Sequence, residues 1–493
     1  GPAGPTRFDQ GEPGELLLRL LQNREKPFAG NLKFRIVDAF GRTVREGLLP
    51  FAARHDQILR YPLPEPERRG VFRVMLGDAG EFRYAVLRNL KNCRFSSNPF
   101  GGHYDPSGEQ NLKVFDRYFP IVDSINRFFS PRDLKAVRHP VFQKQLEDSP
   151  YRNVMRMPYV DAFQPGAACE LTPENEAAFL RQVADTVTAC KGKLYGLEFF
   201  NEPHLWRITS GADAGRRTMP PEKLAHLYKL AYPVVKEIDP EMLVFGPVGG
   251  LGFDRYFEAF AAAGGAKAVD ALDFHGYNND PDAENSAEQI GRLLRLFPLP
   301  AYNTETYYGF LDHRIRNSDD ESGRSYFRAD ELEHAAVMSS MMLNHAVHNV
   351  KFCNYMPCYL LDGVPGERMF PLAAAAAINA GIEFLGNAGK GREIPLDESL
   401  RCFLFEQAEG GPLGTLKVIG EHAGETVLPE AVRGFDLFGN EFPGRVLKLS
   451  GPLVYLRFPR GSDAEKILHS LRFSGLGDPI AVQLSMSGKR SLL

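Results

Sequence analysis

From about Gly14 to Leu90 the chain alternates apolar and polar residues with a period of two. Glu15 to Leu20, Leu32 to Val37 and Val71 to Leu76 carry the pattern, and turn residues such as Gly41 and Pro64 separate them. Successive side chains on a strand point to opposite faces, so this pattern predicts half-buried antiparallel strands, a small β-sandwich over residues 6–92.

After Cys93 the period changes. Short apolar runs now alternate with helix-length amphipathic stretches, as in parallel βα units. The runs centre on Phe95 to Ser97, Ser124 to Phe128, Asn153 to Met157, Leu194 to Phe200, Leu243 to Gly246, Ala271 to Phe274, Ala301 to Asn303 and Val350 to Cys353. Eight strands separated by helices close a (β/α)8 barrel, expected over residues 93–391.

The helical stretches repeat their apolar residues every three or four positions: Phe179, Val183, Val187 and Cys190 in one, Leu224, Leu227, Ala231, Val234 and Ile238 in the next. Thr172 before Pro173 is a start signal for the first of these. From Arg392 strands return, at Leu400 to Phe405, Gly414 to Ile419 and Leu453 to Phe458, with Gly410-Gly411 and Gly439-Asn440 between them. A second β-sandwich is expected over 392–493, with the weakly alternating Pro479 to Leu493 pairing back onto an earlier sheet. The fold class expected is therefore α/β, a TIM barrel flanked by N-terminal and C-terminal β-sandwich domains.

Composition narrows the function. The 493 residues exceed one ordinary core, and 43% hydrophobic with 24% charged residues is typical of a folded chain. A formal charge of −4 argues against a nucleic-acid partner, which would demand a basic footprint. No run approaches the roughly 20 apolar residues that cross a bilayer, so no membrane span is expected. The six cysteines, Cys93, Cys169, Cys190, Cys353, Cys358 and Cys402, lack metal-binding spacing and suggest no disulfide framework. No metal or cofactor is expected, and the number of subunits is not readable. Gly1 to Pro5 resembles the scar left by tag removal, so the lack of a leader decides nothing, and a secreted or periplasmic location is the expectation.

Candidate chemistry sits at two strand ends. Leu194 to Phe200 runs directly into Asn201-Glu202-Pro203, which puts a carboxylate at the C-terminal end of the fourth barrel strand, the rim where such barrels carry catalysis. Glu305, within Tyr302-Asn303-Thr304-Glu305-Thr306-Tyr307, ends the seventh, which faces the fourth across the barrel mouth. Cleavage of a glycosidic bond with retention needs one carboxyl to protonate the leaving oxygen and another, about 5–5.5 Å away, to attack the anomeric carbon. Two glutamates on facing strand ends meet that need.

With these motifs the barrel, roughly residues 93–391, resembles glycoside hydrolase clan A, and within it the β-xylosidase and α-L-iduronidase family; the motifs mark the clan more sharply than the family. The resemblance implies a retaining glycosidase acting on an oligo- or polysaccharide. Glu202 would be its acid/base, Glu305 its nucleophile, and Asn201 a donor to the sugar 2-hydroxyl. It also implies that Arg127, at the end of the second strand, keeps the nucleophile ionised, and that Tyr277, in His275-Gly276-Tyr277 after strand six, donates to it. One departure stands out: Lys351-Phe352-Cys353-Asn354-Tyr355 offers no tryptophan at strand eight, which puts the shape of the innermost subsite in doubt.

Further candidates carry two readings each. His103 is either a contact to a sugar hydroxyl or an ordinary loop histidine. Trp206, the single tryptophan, is either a sugar-stacking ring or a core ring. Glu198 shares the strand parity of Glu202, should point into the barrel and would need a cationic or hydrogen-bonding partner there. Seven arginines, Arg207, Arg216, Arg217, Arg314, Arg316, Arg324 and Arg328, fall in the rim loops and suggest a sulfated or uronic glycan, although Asp319, Asp320 and Glu321 would serve as their partners. Two rival functions remain: a catalytically inactive carbohydrate-binding barrel, and a metal-dependent hydrolase, for which no H-x-H or H-E-x-x-H spacing is present.

Overall fold

The computed structural model describes residues 7–11, 14–20, 28–53, 57–62, 67–77, 80–93, 95, 117–119, 125–129, 131–148, 152–208, 215, 218–276, 284–306, 331–350, 352–355, 361–362, 370–407, 410–420, 422–450 and 452–476. The chain opens on β1 (Arg7–Asp9), β2 (Glu15–Leu20), β3 (Phe28–Asp38), β4 (Thr43–Ala53), β5 (Gln57–Pro62), β6 (Gly70–Met75) and β7 (Glu81–Leu87). Five of them form one sheet in the order β1-β7-β6-β3-β4, and β2 pairs with β5 separately. The period of two is visible in the core beneath: Phe34 and Ile36, Phe72 and Val74, Tyr84 and Val86 are buried together.

Seven parallel strands follow in strict chain order: β8 (Ile125–Phe129), β9 (Arg152–Arg156), β10 (Gly196–Glu198), β11 (Leu243–Gly250), β12 (Ala271–His275), β13 (Ala301–Thr306) and β14 (Phe352–Tyr355). Each matches an expected run to within a few residues. The sheet curls round an apolar layer of Val154, Phe245, Ala271 and Tyr302. Gly196 belongs to this level because nothing larger fits: a Cβ there would lie 2.0 Å from the Phe245 ring. The expected first strand, Phe95 to Ser97, lies outside the described residues except for Phe95, and so does the closure it would make.

Helices cover the outer face with their apolar stripes turned inward. Phe179, Val183, Val187 and Cys190 of Pro173–Cys190 are all fully buried, and the Thr172 hydroxyl accepts from the Asn175 N–H at 3.3 Å, capping that helix. Pro221–Ile238 buries Leu224, Leu227 and Ala231 on the same side. The alanine-rich Ala373–Leu385 is a core helix.

After β15 (Leu361–Asp362) and β16 (Phe370–Pro371) come β17 (Ala388–Glu393), β18 (Leu400–Gln407), β19 (Leu413–Val418), β20 (Gly424–Val427), β21 (Arg433–Phe435), β22 (Val446–Leu449), β23 (Val454–Arg457) and β24 (Phe473–Ser474). They make a five-stranded antiparallel sheet, β17-β18-β19-β23-β21, and a three-stranded one, β22-β20-β24. A single buried cluster runs from Val71, Ala85 and Leu87 of the first sheet, through helices Glu331–Val347 and Ala373–Leu385, to Phe403, Phe405 and Tyr455 of the last. The expected strand at Pro479 to Leu493 lies outside the described residues.

Candidate active site

Directly after the apolar layer, the inward-facing position becomes polar on four of the strands, while β11 continues with Pro247. Arg156 follows Val154 by two residues, Glu198 follows Gly196, Asp273 follows Ala271 and Thr304 follows Tyr302. Side chains two apart share a face, so these four form the next layer toward the strand ends. Arg156 and Glu198 are register partners on β9 and β10, with Nε of the arginine 3.6 Å from a Glu198 carboxylate oxygen. Arg156 is thus the cationic neighbour that a fully buried glutamate requires.

Asp273 completes this layer as a neutral acid. Complete burial, and the Glu198 carboxylate beside it, push its carboxyl well above the usual range, so it keeps its proton and donates it to Glu198. The Thr304 hydroxyl donates to its other oxygen at 2.8 Å. A shared proton also pairs the buried Asp273 Oδ2 with one of the two Glu198 oxygens, atoms that meet no N–H or other O–H donor among the described residues.

Above this layer stand Glu202 and Glu305. β10 leaves the ladder after Glu198, and Glu202 itself adopts the left-handed conformation, φ 46° and ψ 49°, before the short 3-10 turn Pro203–Leu205. That conformation is uncommon for a residue with a side chain and marks a tightly determined turn. His275 and Glu305 are register partners on β12 and β13. The fully buried His275 places Nδ1 2.9 Å from a Glu202 oxygen and 3.8 Å from a Glu305 oxygen. Arg156 reaches up from the layer below to within 3.9 Å of Glu305.

The two carboxyls differ in proton affinity. Burial opposes the Glu202 charge, but the hydrogen bond and charge of His275, with the charge of Arg156, hold it below the ordinary value. For Glu305 burial prevails over His275 and Arg156, with Glu202 and Glu198 adding to it, so its carboxyl is raised. One imidazole N–H lies close to both carboxyls and serves Glu202 here.

Of the other sequence candidates, Asn201 sits beside the pair, and its buried Oδ1 has no donor among the described residues. Trp206 is not a sugar-stacking ring. It is 4% exposed, packs edge-on against Phe200 and Tyr159, and donates its indole N–H to the Asn201 carbonyl at 2.7 Å. The short 3-10 turn folds it back into the core behind the rim. Arg127 takes its expected place on β8, opposite Asn153, and its side chain lies outside the described residues, as do His103 and Tyr277. Of the seven rim arginines, Arg207 alone is described, and it is exposed.

Arg156, Asp273, His204 and Tyr159 were not singled out from sequence. His204 is buried with its ring against Phe253, accepts the Gly250 N–H at Nε2, and is driven down to about 4 by burial, so it braces the Glu202 turn as a neutral ring. Tyr159 neighbours Asn201, Glu198 and Glu202, and its burial raises the phenol. The described residues hold no cluster of metal-ligating side chains and no helix long and apolar enough to cross a membrane.

No family model and no curated protein matches the chain. Solved structures with a similar course include an endo-β1,6-glucanase, with 12% identity over 87% of this chain and 100% of that one, at a TM-score of 0.45. A glucosidase from Croceicoccus marinus is 11% identical over 75% and 97%, at 0.44. A Paenibacillus polymyxa xyloglucanase from glycoside hydrolase family 44 is 12% identical over 76% and 98%, at 0.40.

Proposed function

We propose that this protein is a retaining glycoside hydrolase, with Glu202 as acid/base and Glu305 as nucleophile. The supporting observation is their shared neighbour. With His275 Nδ1 2.9 Å from one carboxylate and 3.8 Å from the other, the nearest oxygens are at most about 6.7 Å apart, the two distances laid end to end. That bound lets both carboxyls flank one anomeric centre, as a retaining pair with its groups about 5–5.5 Å apart does.

In this reading Glu305 attacks the anomeric carbon while Glu202 gives its proton to the departing glycosidic oxygen. The glycosyl ester neutralises Glu305, and Glu202, now an anion, takes a proton from the water that attacks the anomeric carbon and displaces the Glu305 carboxylate. The first step requires the proton on Glu202, the reverse of the preference set while His275 bonds Glu202. Shifting the His275 N–H from Glu202 to Glu305 restores the required order, because the same hydrogen bond and charge that hold Glu202 down would then favour the Glu305 anion. Arg156 favours that anion in either arrangement. A uronic or sulfated sugar as substrate is the finer part of the proposal and rests on the rim arginines of the sequence.

Glu202→Ala and Glu305→Ala test the assignment on an activated aryl glycoside. Both should lose activity, and azide should rescue Glu202→Ala to a glycosyl azide of retained configuration and Glu305→Ala to the inverted one. Unimpaired hydrolysis by either variant, or the same anomer from both, removes the assignment. No turnover of any aryl glycoside by the wild type would favour an inactive carbohydrate-binding barrel.

A further inference from the structure

A cavity of about 780 Å³ opens away from the carboxylate pair, where the N-terminal sheet, helix Ala373–Leu385 and the C-terminal sheet meet. Six arginines line it against four acidic residues. Two of the six are already matched, Arg42 by Asp38 and Arg433 by Glu441. Glu383 answers three others at once: Arg69 in direct contact, Arg88 at 2.6 Å and Arg457 at 3.8 Å. Glu67 and Asp436 stand beside the sixth arginine, Arg68, so with Asp38 six guanidiniums face five carboxyls, and the excess of positive charge falls on the three that share Glu383.

Arg457 is the least satisfied. At 3.8 Å from Glu383 it is beyond hydrogen-bonding range, and it donates to no acceptor among the described residues. It is not simply a surface arginine either, for its side chain is only 41% exposed and its guanidinium lies 4.7 Å from the Phe384 ring centre and 5.6 Å from that of Phe435. These rings pack against the guanidinium, whose planar fork is suited to a carboxylate or sulfate. The volume falls in the range of sites for small organic ligands, far beyond a bare ion, and the lining is mostly polar.

We propose that this cavity binds an acidic sugar of one or two rings, with its carboxylate or sulfate on Arg457 and Arg88. The site is separate from the carboxylate pair and would tether or sense an anionic glycan whatever bond the barrel cleaves.

Titration calorimetry on the whole chain with glucuronate, glucose 6-sulfate, glucose and inorganic sulfate tests it. An acidic sugar should bind about ten-fold or more tightly than either glucose or inorganic sulfate. Arg457→Gln should weaken that binding by about ten-fold or more and leave aryl-glycoside hydrolysis unchanged. Arg69 and Arg88 still neutralise Glu383 in this variant, and Arg457→Lys, which keeps the charge and loses the planar fork, gives a second reading if the glutamine form fails to fold. Equal binding of glucose, equal binding of inorganic sulfate, no binding at all, or undiminished binding by the Arg457 variants overturns the proposal.

Discussion

Asp273→Asn replaces a protonated carboxyl by an amide of the same shape, which donates to Glu198 as the acid did. In the unfolded chain Asp273 ionises near the ordinary value of about 3.9. In the fold it stays protonated well above that. The native state therefore binds one more proton than the unfolded state through this window. Stability from that proton is fully present below the unfolded value and is lost as pH rises toward the folded one, by about 1.4 kcal/mol per pH unit. Asparagine carries no such proton. Urea unfolding at pH 5, 6 and 7 should therefore find Asp273→Asn gaining on the wild type by about 1.4 kcal/mol for each unit, until the folded value is reached. Groups remote from Asp273 cancel in the difference, while Glu198, which titrates together with it, belongs to the same proton balance. Parallel stability curves would mean that Asp273 is ionised in the native state, and the shared proton beneath the site would have to be abandoned.

Three further changes follow from the same packing. Arg156→Ala removes a cation that favours the Glu305 anion, so the acidic limb of kcat/KM should move to higher pH with a loss of about ten-fold or more in the acid range, read on an aryl glycoside; an unmoved limb would exclude it. Trp206→Ala should cost about 3–5 kcal/mol in denaturant unfolding as a core deletion; a raised KM with unaltered stability would instead mark a sugar platform. Gly196→Ala forces a methyl into the Phe245 ring and should lower stability by about 1–3 kcal/mol or more, measured as a fall in Tm.

How much of this was legible in the sequence depends on the range of the interaction. The Thr172 cap, the buried stripe of Phe179, Val183, Val187 and Cys190, and the strand positions rest on residues within one or two turns of each other, and periodicity reports them directly. Glu202 was legible because a turn motif follows its strand at once. Arg156 was not, since an arginine closing a strand becomes a partner of Glu198 and Glu305 only after the register of β9 on β10 is set. Asp273 was hidden in the same way: Leu272-Asp273-Phe274 reads as an ordinary alternating strand until the inner face of the curled sheet takes every second residue. Trp206 followed the opposite course, because proximity in sequence to Glu202 suggested the rim, while the 3-10 turn between them points the ring inward.

The apolar cluster that threads from Val71 through the helix Ala373–Leu385 to Tyr455 has a practical consequence. Cutting the chain at about residue 392 to obtain a lone catalytic unit would strip the cover from Phe384 and Leu385 and leave a greasy seam facing water. Such a fragment should clump during expression, and a shorter folded chain is better sought by trimming the β2 and β5 pair, which lies outside that cluster.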